Sequence, residues 1–115
     1  MTYLLHEPMG EPPVVRAEGE LDMAAAPGIK ETLAQLIIAS HRSVVLDLSE
    51  ATFVDSTTIG TLMAAHQRLK RYGSRLDIVC ANENILRTFE FAGLRDELNL
   101  HESLDALMPP AAQSA

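Results

Sequence analysis

One cysteine is all the chain has, Cys80, so no disulfide can form within it. Small folds held together by disulfide frameworks are excluded, and a reducing compartment fits. Cations are scarce as well: nine Lys and Arg stand against sixteen Asp and Glu, for a formal net charge of -7. A surface of that sign repels nucleic-acid phosphates and anionic lipid headgroups, so any effect on transcription has to run through another protein. Apolar runs are short, and none approaches the ~20 residues that cross a bilayer. The segment Met1-Thr2-Tyr3-Leu4-Leu5-His6-Glu7-Pro8 has neither a basic start nor a long apolar stretch, so it does not read as a signal peptide. The expectation is a soluble, cytoplasmic protein with no membrane insertion and no direct nucleic-acid contact.

Catalytic patterns are missing too. His6, His41, His66 and His101 lie far apart and share no short metal-ligand spacing. There is no Gly-rich phosphate loop, nucleophile elbow or His-Glu-x-x-His helix. Cys80 has no evident activating neighbour. It ends an apolar alternation, and His66 falls in an apolar helical stripe, so both read as core. The chain is expected not to be an enzyme and to carry neither metal nor cofactor.

What is present is material for a core. The 115 residues make one domain, and 47% of them are hydrophobic. Tyr3 to Glu7 reads as a weak strand, and Val14 to Glu18 as a second, with Val15 and Ala17 on one face. A helix is predicted from Pro27, whose missing N–H suits the first helical position. Ile29, Leu33, Leu36 and Ile37 give it an apolar stripe. Ser43 to Leu48 is nearly all apolar, as in a strand buried on both faces, and Asp47 must find partners or reach the strand's end. After a loop, a second helix starts at Thr57. Its inward stripe is Ile59, Leu62, Met63, His66 and Leu69, with Thr61, Ala65, Arg68 and Arg71 outward. Gly73 stops it. Leu76, Ile78 and Cys80 alternate as a strand. Asn82 caps a third helix with core face Ile85, Leu86 and Phe89, which Gly93 ends. Leu98 and Leu100 mark a last strand, Ser103 to Met108 a last helix, and Ala111 to Ala115 a frayed tail.

The order is β β α β α β α β α: an α/β domain over residues 1–110, with about five strands in a mixed, mostly parallel sheet and about four helices. One junction stands out. After Val45-Leu46-Asp47-Leu48, the run Phe53-Val54-Asp55-Ser56-Thr57-Thr58-Ile59-Gly60 delivers a carboxylate and three hydroxyls to a helix start. Asp, Ser and Thr are ordinary caps there, since their side-chain oxygens accept the free N–H groups of the first turn. One cap suffices, however, and three consecutive hydroxyls exceed that need. A hydroxyl at such a position is expected to be exposed and open to a kinase.

Phe53-Val54-Asp55-Ser56-Thr57-x-Ile59-Gly60, following its Val-Leu-Asp-Leu strand, resembles the signature of STAS-domain anti-sigma factor antagonists. Gly19-Glu20-Leu21-Asp22 resembles that family's segment after the second strand. Phe89-Glu90-Phe91-Ala92-Gly93-Leu94 is similar to the end of its third helix. The likeness covers roughly residues 12–108. It implies a single STAS domain that binds an anti-sigma factor serine kinase, so freeing a sigma factor. It also implies inactivation by phosphorylation of Ser56, with Thr57 as a minor acceptor, and reversal by a metal-dependent phosphatase. Asp55 would orient the site. Gly19, Glu20, Leu21, Asp22, Asp55, Ser56, Thr57, Thr58 and Thr61 would form the docking surface. The family's pattern has glycine where this chain has Thr58. An exposed Thr58 would crowd the partner, and Thr58→Gly would then change stability by less than about 1 kcal/mol. Two other readings of a STAS domain differ in class: an adaptor subunit of a membrane lipid-transport complex, and a small-ligand or nucleotide-binding module. The Asp55-Ser56 pair favours the first.

Overall fold

The computed structural model describes residues 3–107. In chain order the elements are β1 Tyr3–Leu5, β2 Val14–Leu21, α1 Ala26–Ser40, β3 Val44–Asp47, β4 Ala51–Val54, α2 Ser56–Lys70, β5 Leu76–Val79, α3 Glu83–Phe91, β6 Asn99–His101 and α4 Leu104–Leu107. The sheet runs β1-β2-β3-β5-β6, with β4 also on β2. Among the described strands only β1 is antiparallel to its neighbour. Met108 and the Ala111 to Ala115 segment lie outside the described residues.

Every residue of β3 and β5 is buried, as strands covered on both faces must be. Ile29, Leu33 and Ile37 of α1 and Ile59, Leu62 and Leu69 of α2 close over the sheet. Asp47 ends β3, and its Oδ1 accepts the Ser49 N–H at 2.9 Å. Asp77, inside β5, accepts from Arg75 Nε at 3.2 Å and pairs with His101 Nε2 at 3.0 Å. Asn82 caps α3 by accepting from the N–H groups of Asn84 and Ile85. Gly73 and Gly93 take the left-handed conformation that ends the helices before them.

Three local features differ from the sequence expectation. Ala65 is buried rather than outward-facing, because α1 and α2 pack against each other. The stretch between β3 and α2 is a strand, β4, giving six strands among the described residues. It hides in the sequence because the pairing is bulged: Gly19 opposes Ala51 and Glu20 opposes Phe53, so Thr52 is an extra residue and the alternation is lost. For the same reason β2 runs on through Leu21, so the Gly19 to Leu21 segment is strand rather than loop.

Candidate functional site

The ends of β2 and β4 lie side by side, and α2 begins where β4 stops. Asp55 has extended backbone (φ -100, ψ 177), and its Oδ1 accepts the Thr58 N–H at 2.9 Å. That is the geometry of an N-cap, and the sequence selects it because a short carboxylate just before the helix reaches back to its third residue. Ser56 and Thr57, in the first turn, are exposed. Neither hydroxyl bonds another described residue. Thr61 is half-buried one turn on, its hydroxyl donating to the Thr57 carbonyl at 3.2 Å.

Thr58 is different. It is fully buried, and its Oγ1 donates to the Leu21 carbonyl at 2.7 Å, with the Asp22 carbonyl at 3.3 Å. The Asp55 N–H reaches the same Leu21 carbonyl at 3.3 Å. These bonds stitch the start of α2 to the end of β2. Asp22 then turns the chain into α1. Its Oδ1 accepts the Ala24 N–H at 2.9 Å, and its carbonyl accepts from Ala25 and Ala26 at 3.0 and 3.1 Å.

The nine expected docking residues are thereby gathered at one corner, but two cannot offer side chains to a partner. Leu21 has no exposure and belongs to the core, because its side chain points to the helix-covered face of β2. Thr58 points inward because the third residue of α2 faces the end of β2. Its expected exposure and its role in crowding a partner are therefore corrected. Glu20, Ser56 and Thr57 are exposed, while Gly19, Asp22, Asp55 and Thr61 are half-buried. The surplus of hydroxyls resolves accordingly. Thr58 serves the fold, and two free hydroxyls remain.

Two residues that the sequence reading did not assign belong to this corner. Met23 follows Asp22 and is 71% exposed, and Phe53, opposite Glu20, is 48% exposed. The signal for Met23 was a large apolar residue between Asp22 and three alanines at the turn into α1. For Phe53 the bulge hid it. Chemically, the corner presents carboxylates and a free serine hydroxyl beside exposed apolar surface. Among the described residues no group of three or more His, Cys, Asp or Glu side chains is placed to hold a metal ion. No helix among them is long and apolar enough to cross a membrane.

A family model, "STAS domain", matches residues 7–107. An anti-sigma-B factor antagonist of Staphylococcus aureus is 28% identical over 91 residues, covering 79% of this chain and 84% of the relative. Its counterpart from Listeria monocytogenes is 30% identical over 82 residues, 71% of this chain and 72% of the relative. The crystal structure of an anti-sigma factor antagonist from Mycobacterium paratuberculosis is similar with a TM-score of 0.76 at 27% identity, covering 99% of this chain and 94% of that one. The fold is shared with SpoIIAA in its unphosphorylated form, with a TM-score of 0.74 at 21% identity, covering 91% of this chain and 92% of that one. The phosphorylated form of the same Bacillus protein gives 0.68 at 21%, covering 91% and 96%.

Proposed function

The chain belongs to the STAS-domain family, and from that premise we propose that it is an anti-sigma factor antagonist whose on–off switch is Ser56. In its unmodified state it docks on an anti-sigma factor serine kinase in the cytoplasm and so releases a sigma factor. The kinase phosphorylates Ser56, docking is lost, and a metal-dependent serine phosphatase restores it. The protein is a regulator and a kinase substrate, not an enzyme.

The observation that carries this reading is the free, exposed Ser56 hydroxyl directly after the capping carboxylate of Asp55. The cap fixes the first turn of α2, so the hydroxyl is presented at a defined place where α2 is tied to the end of β2. A phosphoserine adds about -1.5 to -2 charges at neutral pH. The helix start favours that charge by roughly 0.3 to 1 kcal/mol when exposed, and Asp55 next door opposes it by a similar order. Inside the domain the effects nearly cancel. At an interface they do not, because an unpaired dianion has to be desolvated, and a tenfold loss of affinity needs only about 1.4 kcal/mol.

The test is incubation with candidate anti-sigma kinases and ATP, followed by peptide mapping. One phosphate on Ser56 is expected, and none on Ser56→Ala. The phosphorylated protein should melt within several degrees of the unmodified one, with amide shift changes confined to about residues 53–62. Stoichiometric labelling at Thr57 with Ser56 untouched, or shifts spread through the sheet, would overturn the switch as described.

A further inference from the structure

Beside the Ser56 corner, α1 and α2 leave a groove of about 330 Å³ between them, with Thr57 and Lys30 at one end and Arg68 towards the other. At about 1.5 Å per residue, α2 rises ~16 Å between Thr57 and Arg68, which is the length of three turns of a docked helix. The floor is small and apolar, from Ala34, Gly60 and Ala64. Ile37, about one turn beyond Ala34, lines it as well.

Two observations point to an occupant. The first is Gly60. Glycine inside a helix is costlier than alanine, yet a side chain built at Gly60 would meet nothing within 4 Å. Packing within the domain therefore gives no reason for the gap. The second is charge. Arg16, Arg42, Lys70, Arg75 and Arg95 hold ion pairs, five of the nine Lys and Arg. Lys30, Arg68, Arg71 and Arg87 hold none among the described residues, although carboxylates outnumber cations sixteen to nine. Of these four, Lys30 and Arg68 line the groove that opens onto Thr57.

We propose that the α1–α2 groove is a second docking site for the same partner, taking an amphipathic helix that carries acidic residues at both ends of a small apolar stripe. The inference rests on the antagonist reading above and adds a recognition element to it. Helix-in-groove docking supplies the apolar contact, and the flanking ion pairs set register and on-rate. Because the groove begins at Thr57, a partner helix seated in it brings its neighbouring surface over Ser56. The groove would thus position the partner that the phosphate later displaces.

The experiment measures affinity by titration calorimetry, using the kinase that labels Ser56. Gly60→Leu fills the groove and is expected to melt no lower than wild type while binding roughly tenfold more weakly or worse. Lys30→Glu combined with Arg68→Glu is expected to lose a similar factor and to flatten the salt dependence of binding. Arg71→Glu, an exposed cation outside the groove, should bind as wild type. If Gly60→Leu fails to fold, the charge-reversed pair decides. Affinity within twofold for these variants, with Ser56 still phosphorylated, would overturn the groove and leave the antagonist reading standing. If no kinase of this class labels Ser56, the antagonist reading fails and the groove proposal with it.

Discussion

Thr58→Gly removes the side chain that ties α2 to the end of β2, and its cost can be worked out from the contacts. The hydroxyl donates to the Leu21 carbonyl at 2.7 Å in a site with no exposure. The Asp55 N–H still reaches that carbonyl at 3.3 Å, so the acceptor is not orphaned and the loss is a net hydrogen bond of about 0.5–1.5 kcal/mol. Deleting the buried methyl group costs about 1 kcal/mol more, and exchanging Thr for Gly in a helix adds ~0.3 kcal/mol. The total is about 2–3 kcal/mol, or a melting point lower by ~10–20 °C for a domain of this size. Two variants separate the contributions. Thr58→Ser keeps the bond and Thr58→Val keeps the shape, so each should cost about 1 kcal/mol. Calorimetric melting with urea titration measures all three. Partner affinity of Thr58→Ser should stay within twofold, because the side chain is out of a partner's reach. If Thr58→Gly melts within about 3 °C of wild type, or binds the kinase more tightly, the buried tether is refuted and the exposed position read from the sequence is restored.

Two further outcomes are expected. Asp55→Ala should cost about 1 kcal/mol through loss of the cap, and Asp55→Asn clearly less, because Asn caps nearly as well. Equal losses in urea midpoint would show that the charge, not the cap, matters. The second concerns His66. It is buried, and its Nδ1 accepts the Leu76 N–H at 3.3 Å, which only an unprotonated nitrogen can do. Burial holds its pKa below the ordinary value, Lys70 adds to the effect, and Glu97 and Asp77 oppose it. A folded pKa below the unfolded one gives stability that is complete above about pH 6.5 and is lost as pH falls through the folded value. Melting temperature should therefore drop as pH falls below about 6.5. His66→Asn, which keeps an acceptor without titrating, should flatten that drop, and an unchanged slope would assign it to carboxylates instead.

Much of the fold was legible because its signals are local. Asp55 and Asn82 cap from within three residues of the N–H groups they bind, and Gly73 and Gly93 end helices by their own backbone freedom. The Val44-Val45-Leu46 run of β3 and the stripe from Ile59 to Leu69 announce burial by spacing alone. Ser56 could be picked out because capping explained one hydroxyl of three. The remaining features depend on which strand came to lie beside which. The tether from Thr58 to Leu21 joins residues 37 positions apart, and no periodicity within α2 reveals it. The bulge at Thr52 turns β4 into what reads as a loop. It also leaves Phe53 half exposed and carries β2 on to Leu21. Glu20 comes to lie opposite Phe53, just ahead of Ser56, only through that pairing, and the α1–α2 groove exists only once both helices have packed on the sheet. Local chemistry thus chose the elements and the serine. Long-range contacts, which no short window of sequence encodes, chose which side chains around that serine face a partner.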